Sequence, residues 1–147
     1  MARTPPLDSR GRRDSRTDGS RLTPGEGAPP GLLRGLADAR LARAIRQMHG
    51  QLGRPWTVAQ LAKISALSRS AFFERFSRTV GLAPMEYLLA WRMAVARDLL
   101  RRQDLGIAQV AESVGYASAS TFSTAFSRHV GEPPSRYARA QENARTG

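Results

Sequence analysis

The sequence contains no cysteine, and its two histidines, His49 and His129, stand apart with no paired carboxylate at ligand spacing. Thiol nucleophiles, thiolate metal sites and disulfides are excluded, and nothing implies a bound metal or other cofactor. "GYASA" at 115–119 lacks the second glycine and the preceding strand of a nucleophile elbow, and Ser118, Ser120 and Ser123 have no base near them in sequence. The groups that do recur regularly are of another kind. Arg69, Ser70, Phe73, Glu74 and Arg78 follow one another at steps of one, three, one and four residues, and Ala119, Ser120, Ser123, Thr124 and Arg128 repeat the same steps fifty residues later. On a helix each set falls on one side. Cations, hydroxyls, a carboxylate and an aromatic ring so arranged recognise a surface; they do not break bonds.

Charge indicates which surface. The 147 residues carry a formal +11, with an isoelectric point near 11.6. Such an excess calls for a polyanion, nucleic acid first and an anionic membrane surface second. Lys63 is the only lysine, so the positive charge is almost all arginine; GC-rich coding explains this as readily as base contact does. No apolar run approaches the ~18 residues of a membrane span, and "MARTPPLDSRGRRDSRTDGSRL" has no apolar stretch of a signal peptide. The expectation is a soluble protein of a reducing cytoplasm.

These groups need elements to carry them. Residues 1–31 are rich in Arg, Gly, Pro, Ser and Asp, and their few apolar groups cannot offset the entropy of ordering. A disordered tail is expected there. It holds six arginines against four acids, so residues 32–147 retain +9. Leu41, Ala44, Ile45 and Met48 predict a helix over about 38–52. Thr57 with Gln60 has the form of a capping box, opening a short helix from Val58 to about Ile64. Ser68 caps a helix that buries Phe72, Phe76 and Val80, and Gly81 ends it. Pro84 opens a long helix with a stripe of Leu88, Trp91, Val95 and Leu99, reaching about Arg102. Ile107–Val114, a helix capped by Ala117 or Ser118, and a short final helix from Pro134 complete the pattern. The fold class is all-α, with about seven helices.

The chain also repeats itself. Ser70, Phe72, Phe76, Ser77, Arg78, Val80, Gly81, Pro84 and Tyr87 match residues fifty positions on, ending at Tyr137, whereas Ala59, Gln60 and Ala62 match Ala108, Gln109 and Ala111 at forty-nine. One residue is therefore inserted near Ala117. This is a duplicated helix–turn–helix, first unit about 57–81, second about 107–131. Small Ala62 and Ala111 sit where the two helices approach, and Ala66 and Gly115 occupy the turn. The 19 residues from Pro84 to Arg102 span about 28 Å as a helix, close to the ~34 Å between successive major grooves on one DNA face. A rigid spacer of that length can hold two reading helices over two grooves of one duplex.

Residues from about 38 to 140 resemble the DNA-binding domain of the AraC/XylS-type transcription regulators. The resemblance is carried by "WTVAQLAKISALSRSAFFERFSRTVGLAPMEYLLAWRM", "ARDLL" and "IAQVAESVGYASASTFSTAFSRHVGEPPSRY", with Gly115-Tyr116, Phe122, Phe126, Gly131, Pro133-Pro134 and Tyr137 as its most specific residues. It implies two helix–turn–helix subdomains on promoter DNA, often with RNA polymerase as a second partner, and Arg69, Ser70, Phe73 and Glu74 at base-contacting positions. Arg69 suits a guanine or a phosphate, Phe73 a thymine methyl or the core, and Glu74 a cytosine amine or solvent. Ser118, Ala119, Ser120, Ser123 and Thr124 carry shorter groups, suited to single hydrogen bonds, methyl contacts or phosphate. Arg78 and Arg128 suit the DNA backbone or the negative end of their own helices; Arg54 and Thr57 are further backbone candidates. Arg92, Arg97, Arg101 and Arg102 are expected on the solvated side of the long helix, and Trp56 and Trp91 in the core. Glu74, and Ala66 in place of the usual turn glycine, depart from the family pattern.

Some DNA alkylation-repair proteins join a similar domain to a cysteine methyl acceptor, a chemistry this cysteine-free chain cannot perform. Only 31 tail-like residues precede the fold, so the chain reads as the DNA-reading half of a regulator, without a small-molecule effector and located at the nucleoid.

Overall fold

The computed structural model describes residues 27–102 and 104–146. Its helices begin and end where local chemistry places them. Asp38 accepts from the Arg40 and Leu41 amides and opens α2 (Ala39–Gly50). Thr57 and Gln60 close the reciprocal box at the start of α3 (Val58–Ile64). Ser68 caps α4 (Arg69–Val80), which stops at Gly81 in the left-handed region. The α5 helix (Pro84–Arg102) starts on proline, and Glu86 accepts from the Ala83 amide just before it. The second copy follows with α6 (Ile107–Ser113), α7 (Ala119–Val130) capped by Ser118 and ended at Gly131, and α8 (Pro134–Thr146).

Eight helices are present among the described residues, one more than the pattern predicts. The addition is α1 (Leu32–Ala37), a single short turn-and-a-half that lies across α4. A Cβ on Gly31 would fall 1.7 Å from the Val80 carbonyl oxygen, so only glycine lets this segment come so close. Arg34 Nε then donates to the Thr79 carbonyl at 2.9 Å. Residues 27–31, grouped with the tail on composition, instead pack here: Pro29 and Gly31 are buried and Ala28 touches the core. Residues 1–26 lie outside the described part. The final helix is longer than expected, at 13 residues.

Two cores share α5. Leu41, Ile45, Met48, Leu61, Phe72, Phe76, Tyr87 and Trp91 form the first, and Met93, Leu100, Val110, Val114, Phe122 and Phe126 belong to the second. Burying each large aromatic or aliphatic chain contributes about 1.5–3 kcal/mol. The long helix is therefore buried over more than the single predicted stripe, because different subdomains cover its two halves. Leu52 and Val95 touch both cores.

The duplication extends to ring packing. Phe72–Phe76–Tyr87 centroids are spaced 5.5 and 5.6 Å, and Phe122–Phe126–Tyr137 centroids 5.6 and 5.6 Å, each ending in an edge-on tyrosine. Thus α8, carrying Tyr137, is to the second unit what α5 is to the first. Trp56 and Trp91 are core residues, as expected.

Candidate nucleic-acid interface

Each helix–turn–helix turn is set by one left-handed residue. Ala66 has φ +59° and Gly115 φ +96°. Just after them the Leu67 amide donates to Ala62 and the Tyr116 amide to Ala111, at 3.0 and 2.9 Å. These equivalences keep an offset of forty-nine, while the caps Ser68 and Ser118 stand fifty apart. The inserted residue is therefore Ala117, between turn and cap, and of the two cap candidates Ser118 is the one used. α7 begins one residue later relative to its turn than α4 does.

Burying Phe72, Phe76 and Val80 turns the rest of α4 outward. Arg69, Ser70, Phe73, Glu74 and Arg78 are all exposed on this helix, and Phe73 meets solvent over 46% of its surface. Of the two readings of Phe73, the core one is thereby set aside. Arg78 lies in the last turn. On α7, Ser120, Thr124 and Arg128 are exposed and Ala119 and Ser123 partly so, with exposed Ser118 at its head. Each predicted set is brought together on its own helix. Exposed Ala71 and Thr121, in the first turns, belong to the same surfaces and were not singled out; the three-residue step from each cap is the signal for them.

The two surfaces differ in chemistry. On α7 the two threonine hydroxyls are engaged with their own backbone: Thr121 Oγ1 donates to the Ser118 carbonyl at 3.1 Å, and Thr124 Oγ1 to the Ser120 carbonyl at 3.2 Å. With that proton committed, Thr124 offers an outside partner only acceptor lone pairs and a methyl group. On α4 the exposed face presents the Arg69 and Arg78 guanidinium groups, the Ser70 hydroxyl, a carboxylate and a ring, whereas Arg128 is the one charged group of the predicted set on α7.

Not every arginine in this region faces out. Arg75, within α4, donates from Nε to Asp38 at 2.8 Å and ties the helix to the head of α2. That guanidinium, followed by the Leu41 and Arg40 amides, holds the Asp38 carboxyl below its ordinary value against the opposing effect of burial. On α5, Arg101 and Arg102 pair with Asp98 at 3.4 and 2.7 Å. Arg92 departs most from the expected solvated position. It is half-buried, and its guanidinium donates to the Leu52 and Arg54 carbonyls at 3.0–3.2 Å. Arg54 and Thr57 are exposed at the start of α3, with the Arg54 guanidinium 4.6 Å over the Trp56 ring. His49 is partly buried against the first core: it stacks on Trp91 at 3.9 Å and shares a 2.6 Å hydrogen bond with the Tyr87 hydroxyl. No helix among the described residues is long and apolar enough to cross a membrane.

Two helix–turn–helix units on one shared helix, each presenting the exposed side of its second helix, define a tandem helix–turn–helix protein. The helix-turn-helix domain family matches residues 61–140, and the chain belongs to the AraC-type branch of that family. A Streptomyces lividans protein named as an AraC-like transcription regulator is 46% identical over 110 residues, 75% of this chain and 36% of that protein. The RCS-specific HTH-type transcriptional activator RclR of Escherichia coli is 39% identical over 102 residues, 69% of this chain and 36% of its own length. This chain thus matches about a third of each of these relatives. Among solved structures, the DNA-binding domain of the global transcriptional factor AdpA, in complex with a target DNA, superposes with a TM-score of 0.67 at 28% identity, covering 71% of this chain and 95% of that domain.

Proposed function

We propose that this protein is a sequence-specific double-stranded DNA-binding transcription regulator that places α4 and α7 in adjacent major grooves of promoter DNA. The observation that carries the reading is the exposure of one polar face on each reading helix within a basic chain, in a fold shared with a domain solved on its target DNA. Arg69, Ser70, Phe73 and Glu74 are the base-reading groups of the first unit. Ser118, Ala119, Ser120, Ser123 and Thr124 make the shorter contacts of the second, and Arg78 and Arg128 touch the sugar–phosphate backbone. Base edges in the major groove offer the donors, acceptors and methyl groups that these side chains complement. The protein acts by binding rather than catalysis, in the cytoplasm at the nucleoid, and contact with RNA polymerase accompanies promoter occupancy.

The test is selection of bound fragments from random genomic duplex, followed by footprinting. Enrichment of one motif that protects two successive major grooves supports the reading, with log affinity falling steeply against log salt. Equal retention of all duplexes would replace it with general DNA packaging. Competition by double-stranded RNA at matched salt should be poor, because the narrow A-form major groove excludes these helices.

A further inference from the structure

The groups expected on the solvated side of α5 include one that the structure uses otherwise. Arg92 lies near the middle of α5, between residues of the first core (Leu88, Trp91) and of the second (Met93, Ala96). Its guanidinium caps two carbonyls of the segment between α2 and α3: Nε and one terminal nitrogen bind Leu52 at 3.2 and 3.0 Å, and the same terminal nitrogen binds Arg54 at 3.0 Å. The second unit's turn meets the same spot. A Cβ placed on Gly115 would stand 3.1 Å from the Arg92 guanidinium carbon and 3.1 Å from the Gly53 Cα. Leu52, whose carbonyl accepts two of the bonds, also packs against both cores. Two segments, one from each subdomain, therefore converge on one planar cation carried by the shared helix. Burial of this kind favours the uncharged state, and Tyr116 faces the same group.

A shared helix, stiff as it is, can still curve gently at its middle, where the two cores meet. The Arg92 junction opposes this: its bonds clamp the Leu52–Arg54 segment to α5, and a bend that closes the subdomains drives that segment, at Gly53, into Gly115. We propose that Arg92, holding the Leu52 and Arg54 carbonyls against the Gly115 turn, fixes the relative setting of α4 and α7 and so determines which half-site separation the protein accepts. Arg92 is a positioning residue in this role, remote from the exposed faces. The proposal rests on the DNA-reading function above. One inserted base pair moves the second half-site by about 3.4 Å and turns it by about 34°, a mismatch that a rigid reader cannot follow without deforming the duplex.

The test uses the full chain and duplexes in which the two selected half-sites are separated by the natural spacer or by one or two base pairs more or fewer. A duplex with a single half-site is the reference. The wild type should prefer its natural spacing by at least about tenfold over a one-base-pair change. Arg92→Ala should reduce that preference to about threefold or less, while affinity for the single half-site stays within about twofold. Arg92→Lys, which keeps the charge but loses the planar fork, should fall between them. Gly53→Val adds a side chain that faces the Gly115 turn, its Cβ at contact distance, 3.8 Å from the Gly115 Cα, and its two methyls beyond, and should shift or flatten the preference with Arg92 intact. The proposal is overturned if Arg92→Ala and Gly53→Val keep the full spacing preference, or if they weaken the single half-site and every spacing equally. Absence of any selected duplex removes the DNA-reading function and this proposal together; a wild type that reads DNA but ignores spacing removes this one alone.

Discussion

Phe72 and Phe73 are adjacent in the chain yet face different surroundings, one 0% exposed in the first core and the other 46% exposed on the outer side of α4. Nothing in the composition of the pair distinguishes them; the helical turn of about 100° between consecutive residues does. A buried ring supports the fold, and an exposed one is available for a partner.

Substitution should separate these roles. Phe72→Ala is expected to cost about 3–5 kcal/mol, enough to abolish most cooperative thermal unfolding. Phe73→Ala should change stability by no more than about 0.5 kcal/mol, while weakening binding to the selected duplex and relaxing its preference for thymine at one position. Paired melts and base-substituted duplexes check both. A large loss of stability in Phe73→Ala would return that ring to the core.

Arg69 discriminates between backbone and base contact. If it holds a phosphate, Arg69→Ala should weaken selected and random duplexes alike and lower the slope of log affinity against log salt by about 1. A loss confined to one base pair, at about 1–3 kcal/mol, would assign it to guanine instead. Titrations at four or more salt concentrations measure the slope directly.

The two turns carry opposite predictions. Ala66 occupies φ +59°, which costs an L-residue about 1–2 kcal/mol relative to ordinary helical backbone. Ala66→Gly relieves that strain but makes the unfolded chain more flexible, so the net gain should be about 0.5–1 kcal/mol. Gly115→Ala should destabilise, since it combines φ +96° with a 3.1 Å approach to both Arg92 and Gly53. Denaturant melts should move the two midpoints in opposite directions.

Acid should weaken the join between α2 and α4. The folded-state pKa of Asp38 lies below its ordinary 3.8, chiefly through the Arg75 hydrogen bond. A carboxylate so depressed adds stability above its unfolded pKa, and that contribution disappears as pH falls through the folded value. Arg75 is 40% exposed, so the pair is worth about 1 kcal/mol or less. Asp38→Asn keeps a good helix cap. It should therefore be slightly less stable than the wild type at neutral pH. The difference should begin to shrink below about pH 4 and vanish once the pH is below the folded-state value, as stability curves at several pH values would record.

Much of the fold could be read from single residues and their spacing. Thr57 with Gln60, Ser68, Gly81, Pro84 and Gly131 each act on backbone groups within four residues; α3, α4 and α5 begin, and α4 and α7 end, where these place them. The exposed face of α4 followed from the same periodicity, once Phe72 and Phe76 were assigned inward. What local pattern does not show is contact between distant segments. Short α1 is held by its approach to Val80 and by the Arg34–Thr79 bond, forty-five positions apart. Arg75 looks like another cation of a reading helix until Asp38, thirty-seven residues earlier, is placed beside it.

The sequence by itself determined the helices, the duplication and the sign of the partner's charge, because capping, periodicity and net charge are properties of neighbouring residues or of sums over the chain. Tertiary structure decided which of its many arginines are spent inside the protein and how the two units are set against each other. Arg92 shows why. Its spacing on α5 is that of a surface residue, and only the fold brings the Leu52 and Arg54 carbonyls and the Gly115 turn to it from forty positions before and twenty-three after.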